Sequence, residues 1–228
     1  MALSKKRKAA NAKVDPDKHY DVASAMALVK EVNTANFDCS VDLHIRLGVD
    51  PRKADQAIRG TVTLPNGTGK TKKVLVLCTP DKEEEAKAAG ADYVGLDEFI
   101  TKIQQGWTDI DVIIAAPNVM AHVGKVGRIL GPRGLMPNPK SGTVTPNIGA
   151  AVDDVKGGKI AFRVDKYGII HSSIGRIQFS AEKLTQNANE LINTIVKLKP
   201  SSAKGAYVKT ISVASTMSPG IKIENKFV

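Results

Sequence analysis

The middle of the chain alternates short apolar runs with helical patterns, and this feature limits the possible folds more than any other. Val74 to Cys78 is a continuous apolar run of the kind that forms a buried parallel strand. The predicted order is strand, helix, strand, helix and strand, at 74–78, 80–89, 93–94, 97–105 and 112–116. Such βαβαβ order predicts a small three-layer α/β domain with a Rossmann-like outline.

The two ends of the chain have a different, α+β pattern. Asp21 is placed to cap a helix in which Val22, Met26, Val29 and Val32 recur at helical spacing. Apolar and polar residues alternate over 41–49, which predicts a strand with one buried and one exposed face. The other predicted elements are strands at 61–64, 160–164, 169–172, 174–179, 207–215 and 221–223, and a helix from 180 or 181 to 198.

Turn-rich segments at 65–69 and 157–158 separate the middle of the chain from its ends. Both ends share the α+β pattern, so we expect them to pair into one discontinuous domain, residues 1–67 plus 160–228, with residues 68–159 inserted. The inserted domain would then hang on two adjacent connections, which form a natural hinge.

Charge separates the two predicted domains as well. The chain has a formal net charge of +10, which favours a polyanionic partner, nucleic acid being the commonest. Residues 68–159 hold 12 Lys or Arg against 11 Asp or Glu, whereas the two ends hold 21 against 12. The excess cation therefore belongs to the predicted discontinuous domain. A basic enzyme or a merely solvated surface is the alternative that the sign of the charge leaves open.

Cysteine usage and hydropathy indicate the compartment. Cys39 and Cys78 have no Cys or His neighbour at ligand spacing, so neither a disulfide scaffold nor a zinc site is expected. No apolar run approaches the roughly 18 residues of a membrane span. The basic start of the chain, Lys5 to Lys8, has no apolar segment after it, unlike a secretory signal. We expect a cytoplasmic protein that has no membrane partner.

The catalytic signals are weak. Gly67 to Thr71 looks like the end of a phosphate-binding loop, but Leu64 stands where that loop needs a glycine, and a strand is predicted to follow. No Gly-x-Gly-x-x-Gly pattern follows a strand. The four histidines lie far apart, although a catalytic set assembled in space stays open. We expect no catalytic residue, no metal and no cofactor.

Two features fit RNA. In the terminal strand, the face that carries Val208, Thr210, Ser212, Ala214 and Thr216 is small and rich in hydroxyls, which suits close approach of a sugar–phosphate backbone. A strand packed under a helix would favour the same residues. Phe37 precedes the first long strand in a polar loop, where it could stack on a base or plug its own core. Aromatic residues form only 4% of the chain, so recognition would rest on shape, backbone and hydroxyl contacts.

One segment is unusual in composition. Val126 to Lys140 combines three glycines and three prolines with apolar side chains and cations, and it has no acidic residue. We expect a rigid surface loop. This run resembles the signature of the bacterial-type family of the first protein of the large ribosomal subunit. Further segments resemble the same family, so the likeness covers essentially the whole chain: 35–38, 47–51, 59–62, 89–93 and 215–217.

The resemblance implies a structural, non-enzymatic protein. In that family a discontinuous domain binds large-subunit rRNA to form the mobile stalk beside the tRNA exit site, and the stalk assists release of deacylated tRNA. The resemblance also implies a translational repressor that binds the mRNA of its own operon, and a monomer when free. Carried over to matching positions, the implied RNA contacts are Phe37, Ser40, Ser212, Thr216 and Met217. Ser218 is added as a contact, although it replaces a glycine that is usual in the family.

Cations complete the predicted site. Phosphate contacts are expected from Lys5 to Lys8, Arg46, Arg52, Lys53, Arg163, Lys166, Arg176 and Lys209. Secondary RNA contacts in the insert are expected from Lys125, Arg128, Arg133 and Lys140. Two rival hypotheses are a nucleotide-dependent enzyme built on the α/β insert and a free messenger-binding repressor that never joins a ribosome.

Overall fold

The structure, a computed structural model, describes residues 4–53 and 55–225 of the chain. It is a mixed α/β protein. The α-helices are α1 Lys5–Lys13, α2 Val22–Glu31, α3 Glu83–Ala88, α4 Asp97–Gln104, α5 Met120–Gly124, α6 Gly127–Leu130, α7 Ile148–Lys156 and α8 Ala181–Lys197. The strands are β1 Ser40–Leu47, β2 Arg59–Thr63, β3 Val74–Leu77, β4 Tyr93–Gly95, β5 Val112–Ala115, β6 Lys159–Arg163, β7 Ile169–Arg176, β8 Val208–Ser215 and β9 Ile221–Ile223. Three-residue 3₁₀ turns occupy Pro80–Lys82, Pro117–Val119 and Pro139–Ser141.

The contacts between Cα atoms divide the chain into two compact units. The terminal unit comprises Met1–Gly69 with Ala161–Val228, and the central unit comprises Lys70–Ile160. The boundaries expected from the sequence, 67/68 and 159/160, lie beside these. That the two units are separate domains joined by a hinge stays a prediction. Among the described residues, no helix is long and apolar enough to cross a membrane.

The terminal unit is built on an antiparallel sheet with the order β7-β1-β8-β9. Its inner face is apolar because the strands alternate: Val41, Leu43 and Ile45 of β1 are each at most 1% exposed. Helices α2 and α8 pack against each other and against this sheet. The predicted elements at 22–32, 41–49 and 221–223 are therefore confirmed within a few residues. A second, two-stranded sheet pairs β2 with β6.

Helix α8 confirms the long helix predicted after residue 180. Its first turn is capped by Ser180, whose hydroxyl accepts a hydrogen bond from the backbone N–H of Lys183 at 3.3 Å. Its apolar stripe is fully buried, and the stripe includes a polar residue, Asn187, that is 0% exposed. The Asn187 amide donates to the carbonyl oxygens of Ile174 at 2.7 Å and Gly67 at 3.0 Å. Helix α8 thereby holds the turn that ends the first part of the terminal unit.

The central unit is a parallel sheet with the order β4-β3-β5, as the βαβαβ pattern predicts. Every residue of β3 is buried, which agrees with its continuous apolar run. Helices α3 and α7 pack against each other, α3 also against β4 and α7 also against β3 and β5. Helix α7 was not predicted, although Ile148, Val152 and Val155 recur at helical spacing and are buried. The strong signals on either side, Val126 to Lys140 and Gly157-Gly158, obscured that pattern.

Several other predictions need correction. The basic start of the chain is not simply a tail, because it forms α1, which is capped by the hydroxyl of Ser4. The strands predicted at 169–172 and 174–179 are one strand, β7, with a register shift opposite β1 between Val41 and Asp42. Phe179 lies beyond it, in a turn closed by a hydrogen bond to the carbonyl of Arg176.

The segment from Val126 to Lys140 is also more than a surface loop. It opens with α6, and Val126 and Leu130 are 0% exposed in the core of the central unit. Leu135 and Met136 pack against the same core from partly exposed positions. The apolar residues are therefore there for packing, and the cations between them remain at the surface.

Candidate nucleic-acid interface

The outer face of the terminal sheet is the surface that α2 and α8 leave open. It is defined by Ser40, Asp42, His44 and Arg46 of β1 together with their neighbours on the adjoining strands. Four cross-strand rows make up this face: Arg176, Ser40 and Thr216; Ser173, Asp42 and Ala214; His171, His44, Ser212 and Lys222; Ile169, Arg46 and Thr210. The rows are dominated by hydroxyl, imidazole and cationic groups. Such a face can hydrogen-bond phosphate and 2′-hydroxyl oxygens along its length.

A β-bulge corrects one part of the predicted face. Leu47 pairs with Val208 and Arg46 pairs with Thr210, so Lys209 is the extra residue on β8. The bulge turns Val208 inward, where it is 1% exposed, instead of leaving it on the outer face. Lys209 itself is exposed, and its side chain lies over Gly48 at the end of β1. The remaining small residues of β8 point outward as predicted.

Two loops at one end of the outer face form what we call the rim, residues 33–39 and 215–218. The rim presents two large apolar side chains to solvent, Phe37 at 55% exposure and Met217 at 57%. Phe37 therefore does not plug its own core. Asn33 joins the loops, because its side-chain oxygen accepts hydrogen bonds from the Ala35 N–H at 3.2 Å and the Ser215 hydroxyl at 3.1 Å.

The backbone carbonyl of Met217 joins the rim to its surroundings. It accepts hydrogen bonds from the Thr34 hydroxyl at 3.1 Å and from Nη1 of Arg7, on α1, at 2.6 Å. Lys6 of the same helix donates to the side-chain oxygen of Asn36 at 3.4 Å. Two exposed apolar side chains are thus held on loops that polar contacts restrain. That arrangement suits stacking or wedging against a partner, since little ordering entropy is left to lose on binding.

Arg176 contacts the loop that carries Phe37, and its predicted contact with RNA stays a prediction. Its Nη1 donates to the carbonyl oxygen of Asp38 at 2.7 Å, and its Nε lies 3.9 Å from Oδ2 of the same residue. Within the described residues, Nε of Arg176 and Oδ1 of Asp38 are buried without a hydrogen-bond partner. One terminal nitrogen of this guanidinium is therefore bonded to the loop that carries Phe37, and the side chain is 24% exposed. Arg176 positions the rim more than it offers a free cation.

Ser218 is also placed differently from the prediction. It is 7% exposed, and its hydroxyl accepts a hydrogen bond from the Ser215 N–H at 2.8 Å and donates to the Pro219 carbonyl at 3.1 Å. No described residue other than glycine has a positive φ, so Ser218 needs no left-handed backbone. Its side chain closes the rim from inside, and the RNA contact expected at Ser218 stays a prediction.

A basic cleft lies at the turn between β6 and β7. Arg59, Arg163 and Lys166 line a cavity of about 400 Å³, and the rest of its lining comes from Pro51, Ala57, Ile58, Val164 and Asp165. Asp165 shapes the turn, because its Oδ1 accepts hydrogen bonds from the N–H groups of Tyr167 at 2.9 Å and Ile169 at 2.8 Å. These two bonds hold the pKa of Asp165 below its ordinary value, and the bond from Ile169 has the larger effect. The predicted contacts Arg163 and Lys166 share this cleft with Arg59, which no local pattern had singled out.

A pair of histidines occupies the middle of the outer face. Nδ1 of His44 and Nδ1 of His171 lie 2.9 Å apart, and the rings meet edge to face. Nε2 of His171 lies 3.5 Å from Oδ2 of Asp165. Burial lowers the pKa of His44, the neighbouring His171 lowers it further, and Asp42 acts in the opposite direction. Sequence reasoning missed this pair because 127 positions separate its members; only the register of β1 against β7 brings them together.

The central unit presents its own cations. Lys125, Arg128, Arg133 and Lys140 are all exposed. Nη1 of Arg133 donates to the hydroxyl of Thr108, which fixes one of the four to the body of the unit. Asn138 organises the end of the segment, since its side-chain oxygen accepts from the Lys140 N–H at 2.8 Å. Whether these cations contact RNA stays a prediction.

The amino-acid sequence is similar to those of known proteins. Residues 29–219 match the family model described as the Ribosomal protein L1p/L10e family. The protein named large ribosomal subunit protein uL1 of Porphyromonas gingivalis is 64% identical over 226 residues, which are 99% of this chain and 97% of that protein. The protein of the same name from Christiangramia forsetii is 63% identical over 224 residues, 98% of this chain and 97% of that one.

The chain belongs to the Ribosomal protein L1p/L10e family. The resemblance inferred from Val126 to Lys140 and the shorter segments is thereby confirmed. Membership of this family also gives the outer face and the rim a context, because both lie within the matched residues 29–219 except for Lys222 and the α1 contacts.

Three features of this L1p/L10e family member bear on the weak catalytic signals in its sequence. Its described part contains no group of three or more His, Cys, Asp or Glu side chains placed to hold a metal ion. The turn at Gly67 leads toward strand β3 and not into a helix, so it lacks the helix N-terminus that a phosphate-binding loop uses. Cys39 and Cys78 are both buried as free thiols, and burial raises the pKa of Cys78.

Proposed function

We propose that this chain is a structural protein of the large ribosomal subunit that binds large-subunit rRNA through the outer face and the rim. The observation that carries the proposal is the rim: Phe37 and Met217 are more than half exposed, yet their loops are held by hydrogen bonds that Asn33 accepts and that Thr34 and Arg7 donate. Exposed apolar side chains that are grouped on one surface mark interaction sites more often than single exposed ones do. The names of its relatives support the same reading.

The chemistry of the surface suggests how the RNA would be recognised. Phe37 can stack on a base or ribose, and Met217 can fill the space beside it. Ser40, Ser212, Thr210 and Thr216 offer hydroxyls for phosphate and 2′-hydroxyl groups. The cations along the face and in the cleft supply affinity that does not depend on sequence: Arg46, Lys209, Lys222, Arg59, Arg163 and Lys166.

The family resemblance extends the proposal beyond rRNA. The bound protein would form the mobile stalk beside the tRNA exit site, contact exit-site tRNA and assist release of deacylated tRNA. It would also repress translation by binding the mRNA of its own operon, and it would be a monomer when free. The exposed cations of the central unit, Lys125, Arg128, Arg133 and Lys140, would then make secondary RNA contacts.

The first test compares binding to a transcribed stalk segment of large-subunit rRNA with binding to an unrelated hairpin of equal length, at several salt concentrations. We expect a preference for the stalk segment that persists as the salt concentration rises. Phe37→Ala and Met217→Ala should each weaken that binding by about 1–3 kcal/mol, roughly five- to 150-fold in Kd. Leu198→Ala is the matched control, because Leu198 is exposed at the end of α8, away from the rim.

Equal affinity for both RNAs, lost as the salt concentration rises, would show that only non-specific electrostatic attraction is at work and would overturn the proposal. Full affinity in Phe37→Ala would overturn the assignment of the rim. Calorimetric titration with ATP, GTP and NAD tests the rival hypothesis of a nucleotide-dependent enzyme. An RNA-binding protein should give no heat of binding with any of the three. Sedimentation with ribosomes separates a free messenger-binding repressor from a ribosomal protein.

A further inference from the structure

The His44–His171 pair lies where the proposed RNA surface is most central. Its row crosses all four strands of the sheet and ends at Lys222 on β9. His44 is half-buried between its neighbours and His171 is exposed. The roles proposed above for the cations, the hydroxyls and the rim involve neither ring. Their contact, however, restricts which nitrogens carry protons.

A short Nδ1···Nδ1 contact requires one donor and one acceptor. At 2.9 Å one of the two nitrogens must carry a hydrogen and the other must present a lone pair. The two imidazoles therefore cannot both be charged while this contact is kept. The pair holds one extra proton at most.

Asp165 restricts the pair further. Its Oδ2 faces Nε2 of His171 at 3.5 Å, and a carboxylate in that position favours a hydrogen on Nε2. When the pair carries no extra proton, Nδ1 of His171 is therefore the acceptor and Nδ1 of His44 is the donor. Nε2 of His44 is then left with a lone pair.

One added proton reverses the character of that last nitrogen. If the proton is carried by His44, its Nε2 becomes an N–H group directly. If it is carried by His171, Nδ1 of His171 becomes the donor, and His44 shifts to the tautomer that has its hydrogen on Nε2. In either case Nε2 of His44 changes from acceptor to donor. Within the described residues no group forms a hydrogen bond to this nitrogen.

We propose that His44 contacts RNA through Nε2, and that His171 and Asp165 set whether this contact accepts from a 2′-hydroxyl or donates to a phosphate oxygen. This inference rests on the proposed function, because it assumes that RNA covers the outer face. His44 is the contacting residue, and His171 with Asp165 are positioning residues. A non-bridging phosphate oxygen is an acceptor only, so its presence would favour the protonated pair.

The charges around the pair determine the direction of the pH dependence. Asp42 and Arg46 flank His44 on β1, Asp165 adjoins β7, and Lys209 and Lys222 lie on β8 and β9. In the free protein the pKa of His44 is held below its ordinary value. A phosphate beside the ring raises that pKa in the complex. Binding then takes up a proton, so affinity rises as the pH falls from the bound-state pKa toward the lower free-state pKa, and it is constant above both.

The experiment measures Kd for the transcribed stalk segment from about pH 8 to about pH 5.5 at fixed ionic strength. One linked proton changes Kd by at most about tenfold per pH unit, and we expect wild type to bind roughly three- to tenfold more tightly at the acid end. His44→Gln should remove this dependence, and His171→Gln should reduce it. His19→Gln is the matched control, because His19 is exposed in the terminal unit but lies outside the sheet.

A second measurement tests the pair without RNA. Nitrogen-15 shifts of the imidazoles report which ring nitrogen is protonated, and we expect His44 to change from an Nε2 lone pair to Nε2–H as the pair takes up its proton. Independent titration of the two rings would overturn the inference. So would a pH dependence in His44→Gln equal to that of wild type. If wild type fails to prefer the stalk segment at every pH, the proposed function itself fails, which is a distinct result.

Discussion

The two sheets of this molecule use the same secondary structure in opposite ways. In the central unit the strand at the middle of the sheet, β3, is buried along its whole length. In the terminal unit the middle strand β1 is buried only at every second residue, and its other side chains form the outer face. A parallel sheet that helices cover leaves function to its loops. An antiparallel sheet with one open face offers a broad surface that a large ligand can cover.

Charge follows the same division. The near balance of 12 basic and 11 acidic residues in 68–159 contrasts with 21 against 12 in the ends of the chain. The comparison teaches that substitutions in the central sheet should cost stability, whereas substitutions on the outer face and the rim should cost RNA affinity.

The largest expected effect is on the central core. Leu75→Ala should lower the free energy of unfolding of the central unit by about 2–5 kcal/mol, because Leu75 is 0% exposed and its loss leaves a cavity. Below the unfolding temperature, affinity for the stalk segment should stay within about twofold of wild type, a difference of less than about 0.5 kcal/mol. The reason is that Leu75 belongs to the core of the central unit and not to the proposed RNA surface. Chemical denaturation and RNA binding on the same samples test both statements. A large loss of affinity in folded Leu75→Ala would break the separation between the units.

The next prediction tests whether Arg176 stabilises the loop that carries Phe37 or contacts an RNA phosphate. Arg176→Met should reduce stability by about 1–3 kcal/mol, because it removes the hydrogen bond to the Asp38 carbonyl and the cation beside the half-buried Asp38 carboxylate. RNA affinity should fall as the Phe37 loop loosens, but the slope of log Kd against log salt concentration should not change. A fall in that slope by about one unit would show that Arg176 contacts a phosphate after all.

A pair of matched cations compares the two surfaces directly. Arg46→Ala, on the outer face, should weaken binding of the stalk segment by about 1–1.5 kcal/mol and reduce the salt slope by about one. Arg133→Ala, in the central unit, should have a smaller effect on both quantities, because Nη1 of Arg133 already donates to Thr108. Salt titrations of the two variants provide the measurement. Equal effects would extend the principal interface to the central unit.

How far the sequence predicts this molecule depends on the range of the signal. Periodicity over a few residues sufficed for β1, β3 and α8, because period-2 and helical patterns are local. It failed at Val208, since a bulge opposite Leu47 depends on pairing with another strand. Helix α7 was missed although its spacing was present, because glycine- and proline-rich neighbours dominated the interpretation.

The site was predictable to the same extent. Phe37, Ser40, Ser212 and Met217 could be chosen from family motifs, and the structure leaves all four at least partly exposed. Their role in RNA binding stays a prediction. The His44–His171 contact and the commitment of Arg176 to Asp38 join residues more than 120 positions apart, and no local pattern contains them. Ser218 is a motif position whose hydroxyl hydrogen-bonds within its own turn, and the motif alone does not predict that arrangement.

The smallest effect at neutral pH concerns one hydroxyl under the terminal sheet. Tyr207 is 5% exposed, and its hydroxyl donates to the carbonyl oxygen of Ile195 at 3.1 Å. Tyr207→Phe should therefore lower the free energy of unfolding by only about 0.5–1.5 kcal/mol at neutral pH. Tyr93→Phe, in the central unit, is the matched control.

At alkaline pH the contribution of Tyr207 to the free energy of unfolding becomes larger, and it reports on the terminal unit. Burial raises the pKa of Tyr207 to about 12, from an ordinary value of 10 in the unfolded chain. The stabilisation due to the protonated hydroxyl is complete below the unfolded-state pKa, because both states then keep the proton. It is lost as the pH rises from 10 toward 12, where the unfolded chain ionises first. A shift of this size corresponds to roughly 2–3 kcal/mol. Denaturation across this range should show a loss of that order in wild type and in Tyr93→Phe, and a shallower loss in Tyr207→Phe. An unchanged slope in Tyr207→Phe would mean that the alkaline transition belongs to other groups and does not report on the terminal sheet.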